Sequence, residues 1–185
     1  MGAQGIPKPL TVKEYERISD PPGGCYELHH GEAVLVTYPL HRHKELQRRL
    51  RKLLEPAAEA SGFVVDTEFP YRPFPENEVW GADVACVSVA RYDAIEKWLL
   101  GSPELVIEVK SPSNTKAEMH DKAMTTLAGD GAVEFWIVDP ITRTVTVHST
   151  LRGMRVYGED LAVQKSHHDV GLDPRLFLME QWPDR

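Results

Sequence analysis

Three charged side chains stand inside apolar runs that read as strands. The stretch Pro103-Glu104-Leu105-Val106-Ile107-Glu108-Val109-Lys110-Ser111-Pro112 carries an acid and a lysine where a buried strand ordinarily carries neither. Burying two charges costs several kcal/mol unless each has a partner or a metal. Side chains alternate along a strand, so Glu108 and Lys110 share one face while Leu105, Ile107 and Val109 take the other. A second run, Val79-Trp80-Gly81-Ala82-Asp83-Val84-Ala85-Cys86-Val87, holds one further acid, Asp83. Two carboxylates converging from neighbouring strands can hold a hard divalent cation, Mg²⁺ or Mn²⁺, with the backbone carbonyl of Val109 as a further oxygen. A lysine beside them can hold or help deprotonate an attacking water and offset charge on a phosphate. Those are the parts that phosphodiester hydrolysis needs. The alternative is that Glu108 and Lys110 pair with each other or with surface charges at the strand end, leaving the site inert.

The elements that must position these residues follow from the pattern. Thr11 with Glu14 makes a capping box for a short helix, and Cys25–Leu28 and Ala33–Tyr38 make a hairpin around His29-His30-Gly31-Glu32. From His41 to Ala60 apolar residues fall at helical spacing, Leu46, Leu50, Leu53 or Leu54, and Ala57, with Pro56 able to kink the helix. The other side of that helix is basic, with Arg42, Lys44, Arg48, Arg49, Arg51 and Lys52. It is either a solvated face or a phosphate-facing surface. A strand over Phe63–Phe69 leads to a loop over Pro70–Asn77, then the Asp83 strand and a short helix from about Arg91 to Leu100. After the Glu108 strand, a helix spans Thr115–Ala128, with Ala117, Asp121 or His120, Met124 and Ala128 on its inner face and Gly129 or Gly131 as a left-handed cap. Val133–Val138 is a core strand, followed by hairpin strands near Thr144–Ser149 and Met154–Tyr157, and a tail from Leu172 through Phe177 to Trp182 that packs back. The β-α-β unit from Leu105 to Val138 makes its two strands parallel. The fold expected is α/β, of mixed α+β type, with a mixed central sheet flanked by helices.

Composition narrows the function. At 185 residues and 20.9 kDa the chain has the length of one domain, read as residues 10–185 behind a loose arm, 1–9. A net charge of −7 and a pI of about 5.6 exclude a surface coated for non-specific nucleic-acid binding but leave room for a local basic patch. Cys25 and Cys86 lack metal-site spacing and read as free buried thiols of a reducing cytoplasm. No run has the length of a membrane span, and Ile6 stands where a myristoylation signal wants Ser or Thr, so a soluble cytoplasmic protein is expected. The pairs His29-His30, His41 with His43, and His167-His168 raise a zinc site. Without cysteine partners or an i, i+4 pair, solvated histidines are the better reading. Trp136 sits in a core strand as packing, while Trp80, Trp98 and Trp182 are open to a base-stacking role.

Asp83 followed by Glu108-x-Lys110 resembles the PD-(D/E)xK nuclease superfamily. Thr11-Val12-x-Glu14-Tyr15, Tyr26-Glu27-Leu28-x-x-Gly31-Glu32, Glu108-Val109-Lys110-Ser111-Pro112-Ser113, Asp121-Lys122 and Val133-Glu134-Phe135-Trp136-Ile137-Val138-Asp139-Pro140 narrow the resemblance to the Uma-type family of restriction endonucleases. It covers nearly the whole chain. The resemblance implies a restriction-endonuclease-like core and Mg²⁺-dependent DNA cleavage, with Asp83 and Glu108 as metal ligands and Lys110 as the catalytic lysine. Glu27 matches the family's early-strand acid and is implied as a ligand, directly or through water. His43, opening the long helix, and Lys122, after the central strand, are implied as phosphate contacts beside Arg42 and Lys44. The motif's proline is Ala82 here, and the usual aromatic of the following helix is Leu127; neither change removes a ligand. A homodimer would suit cutting both strands of a duplex. The competing reading is a catalytically inactive DNA- or protein-binding module that retains the fold.

Overall fold

The computed structural model describes residues 8–158. In chain order the elements are α1 (Val12–Tyr15), β1 (Gly24–His29), β2 (Glu32–Thr37), α2 (His41–Ala60), β3 (Phe63–Arg72), β4 (Trp80–Ser88), α3 (Val89–Asp93), β5 (Leu99–Leu100), β6 (Leu105–Val109), α4 (Lys116–Ala128), β7 (Glu134–Asp139), β8 (Thr144–Ser149) and β9 (Gly153–Gly158). β1 and β2 form a separate antiparallel pair, and the rest form a seven-stranded sheet in the order β5-β3-β4-β6-β7-β8-β9. β3 with β5 and β6 with β7 are parallel, and the other neighbours are antiparallel. The mixed sheet and the parallel β6-α4-β7 unit are as the sequence pattern requires.

The sheet buries both faces, which is why β6 reads as an almost unbroken apolar run. On one face, Leu46, Leu50, Leu54 and Ala58 of α2 pack on Val65, Val84, Ile107, Trp136 and Val147. On the other, Ala123 of α4, with Leu127 beside it, packs on Phe69, Tyr71, Val106 and Phe135. The capping boxes Thr11–Glu14 and Thr115–Glu118 open α1 and α4.

Four expectations are corrected. β3 runs on to Arg72 through Pro70 rather than ending at Phe69. β5 pairs β3 only at Tyr71 and Arg72, so Pro70 has a strand on one side alone, a position that tolerates proline. The helix after β4 ends at Asp93, and Leu99–Leu100 is a strand. Helix α4 turns Met119, Ala123, Thr125 and Thr126 inward, while Ala117, His120, Asp121, Met124 and Ala128 are exposed. Buried Thr126 is satisfied by the Tyr71 hydroxyl at 2.6 Å, so a polar residue stands on the inner stripe. Gly129 closes α4 with extended backbone, and Gly131, with φ of 90°, takes the left-handed turn. The expected tail contacts and His167-His168 lie outside the described residues, as do residues 1–7 of the arm.

Candidate functional site

The site forms where two ladders break side by side. β4 pairs β6 at Cys86↔Leu105, Ala85↔Val106 and Val84↔Ile107 and stops. One step on, Asp83 and Glu108 stand across from each other and side chains take over the hydrogen bonding. The Asp83 N–H donates to Glu108 Oε1 at 3.3 Å, and the Val109 N–H donates to Asp83 Oδ2 at 2.6 Å. On the other flank, the β3–β4 register passes from Thr67↔Val84 to Phe69↔Ala82, skipping Glu68, whose φ is 52°. Because of that break Val65 packs toward α2 while Phe69, four residues on, packs toward α4. Regular alternation would put both on one face. A left-handed non-glycine residue costs about 1 kcal/mol or more and persists only where its surroundings hold it.

Helix α2 supplies the hold. His43 and Gln47 lie one turn apart on the same face. His43 Nε2 donates to Asp83 Oδ1 at 2.8 Å, and the buried Gln47 amide donates to the same oxygen at 2.8 Å and to Glu68 Oε1 at 2.5 Å. Each carboxylate oxygen has two lone pairs. Asp83 Oδ1 is thereby filled, and among the described residues Oδ2 keeps one lone pair beside Glu108. Burial alone would lower the His43 pKa, but the bond to Asp83 and the charges of Asp83, Glu108 and Glu68 hold it above its ordinary value. Gln47 and Glu68 escaped sequence reasoning, although the i, i+4 spacing of Gln47 from His43 was a usable signal.

The two lysines divide differently from the sequence pattern. Lys122, expected at a phosphate, is turned inward on α4, its side chain 14% exposed, with Nζ 2.9 Å from Glu108 Oε2 and 2.7 Å from the Gly81 carbonyl. Lys110 donates to Asp139 Oδ2 at 2.8 Å and its side chain is 30% exposed. Asp139 Oδ1 accepts the N–H groups of Ile141 and Thr142, so Asp139 joins the end of β7 to the turn as well as to Lys110. Burial pushes the Glu108 carboxyl up to about 8, against the pull of Lys122 and with help from Asp83. For Lys122, burial acts downward, and the carboxylates, Glu108 first, outweigh it and keep the ammonium charged.

Glu27 comes to the same place from the hairpin. Its Oε2 lies 2.7 Å from His29 Nε2, and its Oε1 comes so close to Gly81 that a Cβ there would be 2.9 Å away. A Cβ at 81 would push the Glu27 carboxylate aside from β4, which it meets two residues from Asp83. Arg42 and Lys44 are exposed on the first turn of α2, on either side of His43, while Arg48 and Arg49 pair with Glu45, and Arg51 with Glu55 and Asp66. Trp80 and Trp136 are buried, donating to Glu78 and Glu134, and Trp98 is part-buried under Lys97 and Arg72.

Among the described residues no three His, Cys, Asp or Glu side chains are arranged to hold a metal ion by themselves. What Asp83 and Glu108 offer is two hard oxygen donors from adjoining strands. That set fits Mg²⁺ or Mn²⁺, which bind through one or two carboxylates and retain waters, and does not fit zinc.

Comparison with known proteins agrees with the fold and fixes the family. Residues 12–170 match Uma2, described as "Putative restriction endonuclease". The chain belongs to the Uma2 family. The Uma2 match spans every candidate residue, from Glu27 to Lys122. A similar crystal structure, of a "putative nuclease belonging to DUF820" from Anabaena variabilis ATCC 29413, aligns with a TM-score of 0.70 and 17% identity, covering 80% of this chain and 84% of that one. No curated protein matches the chain. No helix among the described residues is long and apolar enough to cross a membrane.

Proposed function

We propose that this Uma2 protein is a Mg²⁺- or Mn²⁺-dependent endonuclease that hydrolyses DNA phosphodiester bonds. The observation that carries the reading is the Asp83–Glu108 juxtaposition at the broken ladder, with an Asp83 Oδ2 lone pair unused among the described residues and the half-buried Lys122 bonded to Glu108. Asp83 and Glu108 would hold the cation, with the Val109 carbonyl as a further oxygen and Glu27 reaching it through water. When bound, it would lower the charge on a phosphate and the pKa of water. In the reaction a water adds to phosphorus, one P–O ester bond breaks, and the products are a phosphate monoester and a hydroxyl. His43 and Gln47 keep Asp83 turned toward Glu108. Lys122 offsets the Glu108 charge and Lys110, the more exposed of the two, meets the phosphate. Arg42 and Lys44 take the flanking backbone phosphates, with His43 between them. Two copies, one on each strand, would cut a duplex.

A second reading, an inactive DNA- or protein-binding module, draws on one observation: Lys110 is bonded to Asp139 rather than to Glu108. Calorimetric titration of Mg²⁺ and Mn²⁺, run beside cleavage of supercoiled plasmid and single-stranded DNA, separates the two. Wild type should bind metal and nick DNA, and Asp83→Ala should bind none. Lys110→Ala should bind metal yet cleave about 100-fold more slowly. No metal uptake and no cleavage at millimolar metal would leave the module reading in place.

A further inference from the structure

The β1–β2 turn is two residues long, His30-Gly31, flanked by the pair His29↔Glu32, and both central residues are left-handed, with φ of 52° and 81°. Hairpins favour this turn, with Asn or Asp ahead of the glycine. Histidine also enters the left-handed region, so the backbone accepts it, and its ring makes contacts that neither Asn nor Asp could make. His30 Nδ1 lies 2.9 Å from Glu78 Oε1 and Nε2 lies 2.9 Å from Asp121 Oδ2, while its main-chain N–H donates to Glu78 Oε2 at 3.0 Å. A ring with a carboxylate at each nitrogen donates twice, which only the imidazolium can do. The bonds to Asp121 and Glu78 keep the pKa above its ordinary value against the effect of burial.

The two ends of this bridge differ. Glu78 is buried, its side chain 3% exposed, and also accepts the Trp80 indole N–H at 2.6 Å, so it is fixed at the entry to β4. Asp121 is exposed, lies on α4 and directly precedes Lys122. The hairpin is itself locked to that entry by paired main-chain bonds between Leu28 and Val79. The His30–Asp121 contact, its side chains 52% and 55% exposed, therefore joins α4 to the hairpin and to the start of β4, one residue from Lys122.

We infer that His30 is a positioning residue: bridging Glu78 and Asp121, it clamps α4 against β4 and sets the Lys122–Glu108 contact. Its consequence for cleavage rests on the nuclease reading above, whereas its consequence for Lys122 does not.

His30→Asn tests this well, because asparagine suits the turn at least as well and cannot make the double cationic bridge. The full chain, labelled with ¹⁵N-lysine, should show a slowly exchanging Lys122 ammonium signal, identified by its loss in Lys122→Met. His30→Asn and Asp121→Asn should each displace or broaden that signal while the melting temperature changes by no more than about 2 °C. The double variant should do no more than either single, as expected for one shared contact. Where wild type cleaves DNA, kcat should fall about tenfold with KM unchanged. A signal unmoved by His30→Asn, effects that add, or no protected Lys122 signal in wild type would each overturn the clamp. A displaced signal in a protein that cleaves nothing would keep the clamp and remove the nuclease reading.

Discussion

Glu108 carries the conflict on which the site depends. It is buried beside a second carboxylate, and one lysine only partly compensates, which is why its carboxyl sits at about 8 rather than at its ordinary 4.5. The sign of the resulting pH dependence follows from linkage. A carboxyl whose pKa is higher in the folded than in the unfolded chain favours folding fully below the unfolded value, and that contribution is lost as pH rises toward the folded value. Metal-free protein should therefore lose stability relative to Glu108→Gln across roughly pH 5 to 8, by about 1 kcal/mol per pH unit, close to the limit of about 1.4 for one proton, while Lys122, by pulling the carboxyl down, sets where that window ends. Urea unfolding in EDTA at several pH values measures the difference directly. A flat difference would mean that Glu108 is ionised throughout and that Lys122 cancels the burial completely. Millimolar Mg²⁺ should restore wild type at the alkaline end and leave Glu108→Gln unchanged, since a ligand of the native state stabilises only the chain that binds it.

Among the elements, α2 does most to shape the site, because one helix both covers the sheet and aims His43 and Gln47 at Asp83. It does so despite Pro56, which removes a main-chain bond inside the helix. Pro56 is exposed, so its replacement disturbs no packing. Pro56→Ala should raise stability by about 2 kcal/mol and the melting temperature by about 4–8 °C, read by calorimetry. No rise would show that the stiffness proline lends the unfolded chain offsets the missing bond. Helix α2 was also the most legible element, since twenty residues give periodicity room to speak, and the Thr11–Glu14 capping box and the Asp83 and Glu108 strands were legible for similar local reasons, whereas the Thr115–Glu118 box went unread. What stayed hidden depends on distant partners. β5 is two residues long and exists because Tyr71 and Arg72 pair with it. The inner stripe of α4 contains a threonine satisfied by Tyr71, and a second stripe at the same spacing fitted the sequence equally well. That rotation of α4 is also what moved Lys122 from a phosphate-facing expectation to the buried side of Glu108, and periodicity alone carries no information on it.

For the molecule as a whole, a net charge of −7 repels a polyanion, so DNA could approach productively only where cations are concentrated and uncompensated. The basic side of α2 is less cationic than its composition implies, because Glu45 takes Arg48 and Arg49, and Glu55 and Asp66 take Arg51. The exposed cations at its first turn, Arg42 and Lys44, adjoin His43 and hence Asp83, which places the attractive end of the helix at the site and the neutralised stretch away from it. Binding of a duplex, followed by fluorescence anisotropy without divalent metal across a range of salt, should weaken linearly on logarithmic axes. Removing one cation that neutralises a phosphate should flatten the slope by about 0.9. Arg42→Ala and Lys44→Ala should each do so by about that amount, and Arg48→Ala, whose charge is already paired with Glu45, by much less. Equal slopes for all three variants would place the DNA on another surface. Because the Arg48 control differs from Arg42 mainly in its partner, the same comparison also distinguishes a local field at the site from the general loss of one positive charge.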